Sequence, residues 1–328
     1  MKQKRVNLRR WLMVGVLISV LIAGCGTQAT PTAKASVTVR IGTQPWIGYG
    51  PWYIAQEKGM FDAYGLSVEL INFSQDQDVN AALASGKMEA ANLATHTAIK
   101  LYSNGLDIRI AQLEDASLQA DAILSTAAVK SISDLKGKKV AYEEGTTSDL
   151  LLNYGLAQNQ MKLADIEPVP MPASDAGLAL VSGQVDAAVT YEPYITEAVV
   201  GKEGFQVLYT AAERQGLISD VFVLSSKFVQ SQPQAAADLL KVWDEAVAFY
   251  RSNPDEAKAI IATAVGSKPE DLATAFDGVE FYTTSEYQQK LSSDFPQTLN
   301  DIVAASIQMG MLEQAPDLKS LLDSGITK

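Results

Sequence analysis

Residues 37–61 read VTVRIGTQPWIGYGPWYIAQEKGMF. Val37 to Ile41 alternates β-branched residues as a strand does, and Gly42 then releases the chain into a loop carrying Trp46, Tyr49 and Trp52. Gly50-Pro51 restarts regular structure as a helix, because proline at a first helical position leaves no N–H unpaired. Gly59 suits the left-handed residue that ends that helix. The unit is therefore strand, aromatic loop, helix. In an open α/β sheet the loop leaving a strand's carboxyl end borders the ligand crevice, so the three rings form either a binding wall or a hydrophobic lid on the core.

Upstream of this unit, Lys2, Lys4, Arg5, Arg9 and Arg10 precede an apolar run from Trp11 to Ala23. The run is short for a membrane span and reads as a secretory signal. It ends Leu21-Ile22-Ala23-Gly24-Cys25, which resembles a bacterial lipobox, in which the cysteine is diacylated through sulfur (a palmitate-type anchor) and becomes the new N-terminus. The alternative is an uncleaved membrane anchor with an incidental cysteine. Several acyl chains, at about 0.8 kcal/mol per buried CH₂, hold a protein on a membrane firmly, which makes Cys25 an anchor rather than a catalyst. Residues 1–24 are thus expected as signal peptide and 25–36, GTQATPTAKAS after the cysteine, as a flexible tether.

Removing the signal leaves roughly 300 residues, enough for one large α/β unit or two lobes with a core each. The formal charge is −12, and loss of the five basic signal residues makes the remainder more acidic still, which argues against nucleic acid as a partner. Cys25 is the only cysteine and His96 the only histidine, so disulfides, cysteine nucleophiles and multi-histidine metal sites are not expected. No cofactor is expected either.

Strand and helix signals alternate after the opening unit. Strands are expected at Ser67 to Phe73, Met88 to Leu93 and Asp107 to Gln112, separated by helices over Ser74 to Ser85 and His96 to Ser103. A second alternation follows Asp121 to Thr126: strands at Lys139 to Tyr142, Asp165 to Pro170 and Val185 to Val189, helices at Asp149 to Gln158, Ser174 to Ser182 and from Glu192. Such alternation predicts α/β architecture with parallel-type sheets. Val221 to Leu224 reads as a return strand. Pro233 to Tyr250 carries apolar residues at helical spacing, and further helices are expected near Pro254, Pro269 and Asp294.

The two alternations share a sequence. Ala82-Leu83-Ala84-Ser85-Gly86-Lys87-Met88-Glu89-Ala90-Ala91 matches Ala179-Leu180-Val181-Ser182-Gly183-Gln184-Val185-Asp186-Ala187-Ala188, an offset of 97 residues that fits two similar α/β lobes. Just past the matched strands, Ala94-Thr95-His96 and Tyr191-Glu192-Pro193 fall at strand carboxyl ends, where facing lobes present them to one cleft.

Ile54-Ala55-Gln56-Glu57-Lys58-Gly59-Met60-Phe61, Asp134-Leu135-Lys136-Gly137-Lys138-Lys139-Val140, Gly145-Thr146-Thr147, and Ser182 to Ala188 followed by Tyr191-Glu192-Pro193-Tyr194 stand in an order and spacing that resembles a known family. It is that of the solute-binding lipoproteins of ABC importers serving nitrate, sulfonates, taurine and thiamine-type pyrimidine precursors. The resemblance implies a two-lobed periplasmic-binding-protein fold of type II, with two crossing strands near Asp121 to Thr126 and Ser219 to Leu224 as the hinge. The lobes are expected at 37–124 with 221–328, and at 125–220. It also implies a monomer, lipid-anchored on the extracytoplasmic face of the cell membrane (periplasm or cell exterior), that hands its solute to a permease driven by a partner ATPase.

Gly145-Thr146-Thr147-Ser148 precedes a helix, so its hydroxyls and free N–H groups either hold a polar or anionic ligand group or simply cap the helix. Thr95 and His96 stand opposite as ligand contacts or as structural side chains. Glu114 and Glu192, with Tyr191, place acid and ring near the same rim, Glu192 being a ligand group or a helix-start residue. Acid together with Trp46, Tyr49 and Trp52 suits an amine or a flat nitrogen heterocycle, since a desolvated cation over an indole gains about 2 kcal/mol. No arginine cluster stands at an expected strand end to clamp an oxyanion, which ranks organosulfonate second and nitrate last. The competing class is an enzyme on the same fold, since the resemblance includes pyrimidine synthases that consume their own histidine and use a cysteine-rich iron motif; here Cys25 is the only cysteine. A non-enzymatic binding protein is the expectation.

Overall fold

The computed structural model describes residues 36–199, 202–273, 275–322, 325 and 326. The expected signal peptide, Cys25 and nearly all of the tether lie outside the described residues. In chain order the elements are β1 (Val37–Thr43), α1 (Gly50–Glu57), β2 (Leu66–Asn72), α2 (Asp76–Ala84), β3 (Ala90–Ala94), α3 (Thr95–Ser103), β4 (Ile108–Ser117) and β5 (Asp121–Thr126). Then come β6 (Lys139–Tyr142), α4 (Thr147–Gln158), β7 (Glu167–Pro170), α5 (Ala173–Val181), β8 (Ala187–Tyr191), α6 (Tyr194–Val199), β9 (Phe205–Thr210) and β10 (Ser219–Ser225). The last part holds α7 (Ser226–Ser231), α8 (Pro233–Ser252), α9 (Pro254–Ala264), β11 (Val279–Phe281), α10 (Thr284–Leu291), α11 (Phe295–Gln308) and α12 (Lys319–Leu322).

Two sheets result, ordered β11-β4-β10-β3-β1-β2 and β7-β6-β8-β5-β9. The same motif builds both: a parallel trio (β2-β1-β3 and β7-β6-β8) followed by an antiparallel strand delivered from the other half of the chain, β10 in the first sheet and β5 in the second. The chain changes sheets between Ser117 and Asp121 and again between Thr210 and Ser219. Helices cover both faces, which is why the central strands are apolar throughout rather than alternating. In β10, Phe222 and Leu224 pack with Trp52, Trp243 and Ile261 on one face, while Val221 and Val223 pack with Ile99, Leu299 and Ile302 on the other. β5 divides likewise, Ile123 facing Leu151 and Leu156 of α4, and Ala122 and Leu124 facing Leu180 of α5.

The 97-residue repeat is structural: β3 and β8 begin at Ala90 and Ala187, and α2 and α5 at Asp76 and Ala173. Four expectations change. Asp121 to Leu124 pairs with β8 and β9, so the expected division at 124 runs through a strand of the second sheet. No α-helix starts at Pro269, where residues 269–273 form turns. Glu114 and Asp115 lie inside β4, not beyond it, because β10 and β11 extend its pairing to Ser117. Strands β9 and β11 were not foreseen; both are edge strands, β9 with half-exposed side chains that mute the apolar signal and β11 only three residues long.

Candidate functional site: a carboxylate-walled cleft between the sheets

The strand carboxyl ends of both sheets meet at a cavity of about 30 Å³ lined by Gln44, Trp46, Tyr49, Asp76, Ala94, Asp121, Thr147, Tyr191 and Asp220. The opening loop supplies Gln44, Trp46 and Tyr49. Its shape depends on Gly48, since a Cβ there would lie 2.0 Å from the Trp46 indole nitrogen and 2.3 Å from Asp115 Oδ2. With no side chain in the way, Trp46 Nε1 donates to Asp115 Oδ2 at 3.4 Å, and Tyr49 Oη donates to Asp220 Oδ1 at 3.0 Å. One turn on, Trp52 Nε1 donates to Glu114 Oε1 at 2.5 Å. Trp46, Tyr49 and Trp52 thus each bring a polar atom to a different buried carboxyl, which accounts for Trp, Tyr and Trp where a pure lid needs only Phe.

These acids crowd the two crossings. Asp121 opens β5, Asp220 stands second in β10 opposite Asp115, and Asp121 pairs with Tyr191. Burial holds the Asp76, Glu114 and Asp115 carboxyls well above the usual carboxylate range, and the Asp220 charge adds to it in all three. Burial also pushes Asp121 up to about 7, the Asp220 and Glu192 charges adding to it. Asp220 rises only to about 6, because hydrogen bonds from Tyr49, Asp115 and Trp46 favour its charged form. Neither lysine nor arginine lines the cavity. Behind the lining, unpartnered buried side-chain oxygens include Asn92 Oδ1, Gln112 Oε1, Glu114 Oε2, Asp115 Oδ1 and the Ser117 hydroxyl. The wall is therefore rich in carboxyl groups, of which Asp220 and Asp121 ionise nearest neutral pH, and its amide and free hydroxyl groups come from Gln44, Thr147 and Tyr191.

The two sheets also touch directly here. Trp46 meets Tyr191 edge-on, ring centroids 5.6 Å apart at 85°. His96, on the first turn of α3, hydrogen-bonds the backbone of Gly145 and Thr146 beyond β6; burial and then the Lys100 charge lower its pKa to about 4, so the ring is neutral at pH 7.

Of the residues singled out from sequence, Trp46, Tyr49, Thr147 and Tyr191 line the cavity. The others stand behind the wall with structural partners. Trp52 lies on α1 rather than in the loop, stacked among Phe61, Phe222 and Trp243. Glu114 is fully buried on that ring's nitrogen. Thr95 Oγ1 donates to the Ser219 carbonyl at 2.9 Å, tying α3 to the start of β10. Thr146 caps α4, accepting from the Ser148 N–H at 3.3 Å and donating to the Glu143 carbonyl at 2.8 Å. Ser148 is buried inside that helix, and Glu192 accepts from the N–H and hydroxyl of Thr196 at the start of α6. Asp76, Asp121, Asp220 and Gln44 were not foreseen as site residues. The available signal was a charged residue opening each apolar crossing strand, where burial without a purpose is costly. Among the described residues no group of three or more His, Cys, Asp or Glu side chains is placed to hold a metal ion, and no helix is long and apolar enough to cross a membrane.

Comparison with known proteins agrees with this architecture. The profile of the family described as NMT1/THI5 like matches residues 46–257. A Bacillus subtilis protein named provisionally as aliphatic sulfonates-binding is 26% identical over 98% of this chain and 96% of its own. The crystal structure of the periplasmic aliphatic sulphonate binding protein SsuA from Escherichia coli superimposes with a TM-score of 0.70 at 20% identity, covering 88% of this chain and 98% of that one. The periplasmic nitrate-binding protein NrtA from Synechocystis PCC 6803 gives 0.70 at 18% identity, over 89% and 87%. The shared fold is that of periplasmic binding proteins, two sheets joined by two crossings.

Proposed function

Because this chain belongs to the NMT1/THI5-like family, we propose that it is the extracytoplasmic solute-binding protein of an ABC importer, and that its solute is a small organic molecule carrying a protonated nitrogen. The observation that carries the solute class is the wall itself: Asp76, Asp121 and Asp220 face the cavity with no lysine or arginine among its lining. An oxyanion brought there meets the Asp220 charge, joined above pH 7 by that of Asp121. A protonated amine or nitrogen heterocycle relieves the burial penalty on those carboxyls, donates to them and stacks on Trp46, Tyr49 or Tyr191, each cation–π contact adding about 0.5–2 kcal/mol. Organosulfonates rank second and nitrate last.

The cavity of about 30 Å³ has room for a water or two. A solute of the proposed class is larger, so capture requires the lobes to part about the two crossings and close again. The lobes are taken as β1 to β4 with β10 onward, and β5 to β9. The chain returns the solute unaltered, acts as a monomer, and passes it to a permease with its ATPase. It is held at the membrane through lipid on Cys25. Native mass spectrometry of the protein purified from its host tests the reading: a bound, nitrogen-containing cation is expected, and a bound sulfonate or nitrate overturns the solute class.

A further inference from the structure

Helices α2 and α5 are repeat-equivalent, both nine residues long and both beginning where the 97-residue offset demands, at Asp76 and Ala173. Neither is capped by its own N-cap side chain, Gln75 in the first and Pro172 in the second. One carboxylate does both tasks. Glu143 Oε1 accepts from Asp76 N–H at 3.3 Å and Oε2 from Ala173 N–H at 3.0 Å, so a single side chain bridges helix N-termini from opposite lobes. Glu143 follows β6 and is 6% exposed.

Strand registers show what stands in its place in the other lobe. Ile41 and Gly42 of β1 pair with Ala90 and Ala91, as Val140 and Ala141 of β6 pair with Ala187 and Ala188. Counting on two residues, Gln44 is the counterpart of Glu143. The first lobe thus presents a neutral amide at this position, lining the cavity, and the second a carboxylate. Two uncapped helix N-termini aimed at one point constitute an anion site, with N–H donors and the positive ends of both dipoles converging. Here the protein supplies the anion.

We propose that Glu143 is a specificity-determining residue: its carboxylate fills the position between α2 and α5 that a solute's oxyanion group would otherwise occupy, and so turns the cleft away from sulfonates and nitrate. The inference rests on the interlobe cleft being the solute site. Asp76, beside Glu143 and lining the cavity, crowds the same position with a second carboxyl, whose charged form burial and then the Glu143 charge disfavour.

Calorimetric titration with ethanesulfonate tests this on the wild type, on Glu143→Ala/Asp76→Asn, and on Glu143→Ser/Asp76→Asn, whose hydroxyl still accepts one N–H should the alanine version fail to fold. The wild type is expected to show no saturation below about 10 mM. The folded double variants should bind on the order of a hundredfold more tightly, since a like-charge clash has been replaced by open donors. A double variant that melts cooperatively yet binds ethanesulfonate no better than the wild type overturns the inference. If the wild type meanwhile binds an amine, the proposed function survives that failure. Wild-type protein that binds ethanesulfonate tightly and no amine overturns both.

Discussion

Replacing Asp121 by asparagine should move stability and binding in opposite directions. The carboxyl is 5% exposed and lines the cavity, and burial raises its pKa from 3.8 to about 7. Between those values the folded protein holds a proton that the unfolded chain has released, so stability falls as pH rises through the interval. Above pH 7 the whole penalty is present, on the order of 4 kcal/mol. The amide carries no charge and escapes it. At about 2–4 °C per kcal/mol, Asp121→Asn should melt on the order of 10 °C above the wild type at pH 8 and level with it at pH 4. Amine binding should fail for the same reason that stability improves, since the carboxylate's charge is what the solute neutralises; loss of such a buried pair costs about 3–5 kcal/mol, or about two to three and a half orders of magnitude in affinity. Differential scanning fluorimetry at the two pH values, with calorimetry against an aminomethylpyrimidine probe at pH 8, reads both effects. A variant that melts with or below the wild type at pH 8, or that keeps amine affinity within about threefold, would refute the charge-strain reasoning.

The two tryptophans of the opening stretch should separate by where they stand: Trp46→Ala, at the cavity wall, weakens solute binding by about 1–2 kcal/mol, whereas Trp52→Ala, fully buried behind it, acts on stability, lowering it by about 3–5 kcal/mol in urea titration. Amine affinity should fall as pH drops from 8 to 5, by up to about tenfold per pH unit for each proton released, because Asp121 and Asp220 regain protons near 7 and 6; a flat profile in calorimetry would show that those carboxyls do not meet the solute. Cys25→Ser should abolish palmitate labelling and membrane fractionation, and a variant that stays membrane-bound after signal cleavage contradicts the lipid anchor.

Most of the architecture was legible because its signals are local. The Ala-Leu-x-Ser-Gly repeat fixed the doubling, and Pro51, Gly59 and the alternation of apolar runs fixed the elements within a residue or two of β1, α1, β5 and β6. The quoted stretch also announced the site, through Trp46 and Tyr49. What escaped reading depends on pairing across long separations. Asp121 and Asp220 are ordinary strand-starting acids until two sheet crossings bring them to the same cavity. Asp76 looks like a first-turn residue suited to its own helix dipole, and only the opposing lobe makes its carboxyl a wall residue. Glu143 is one of two adjacent glutamates after β6, and nothing local marks it as the cap of helices that begin 67 residues before it and 30 after. Thr95, Thr146 and Glu192 carried the right position at strand ends, but their hydrogen-bonding capacity is taken up by Ser219, Glu143 with Ser148, and Thr196.

Solute class is the claim on which the rest turns, and calorimetric titration of the mature domain against an aminomethylpyrimidine, ethanesulfonate and nitrate at pH 8 tests it most directly. Saturable binding of the amine, weakened by Trp46→Ala and by Asp121→Asn, is the predicted result. Tight binding of nitrate or ethanesulfonate that survives both substitutions, with no heat from the amine, would contradict it.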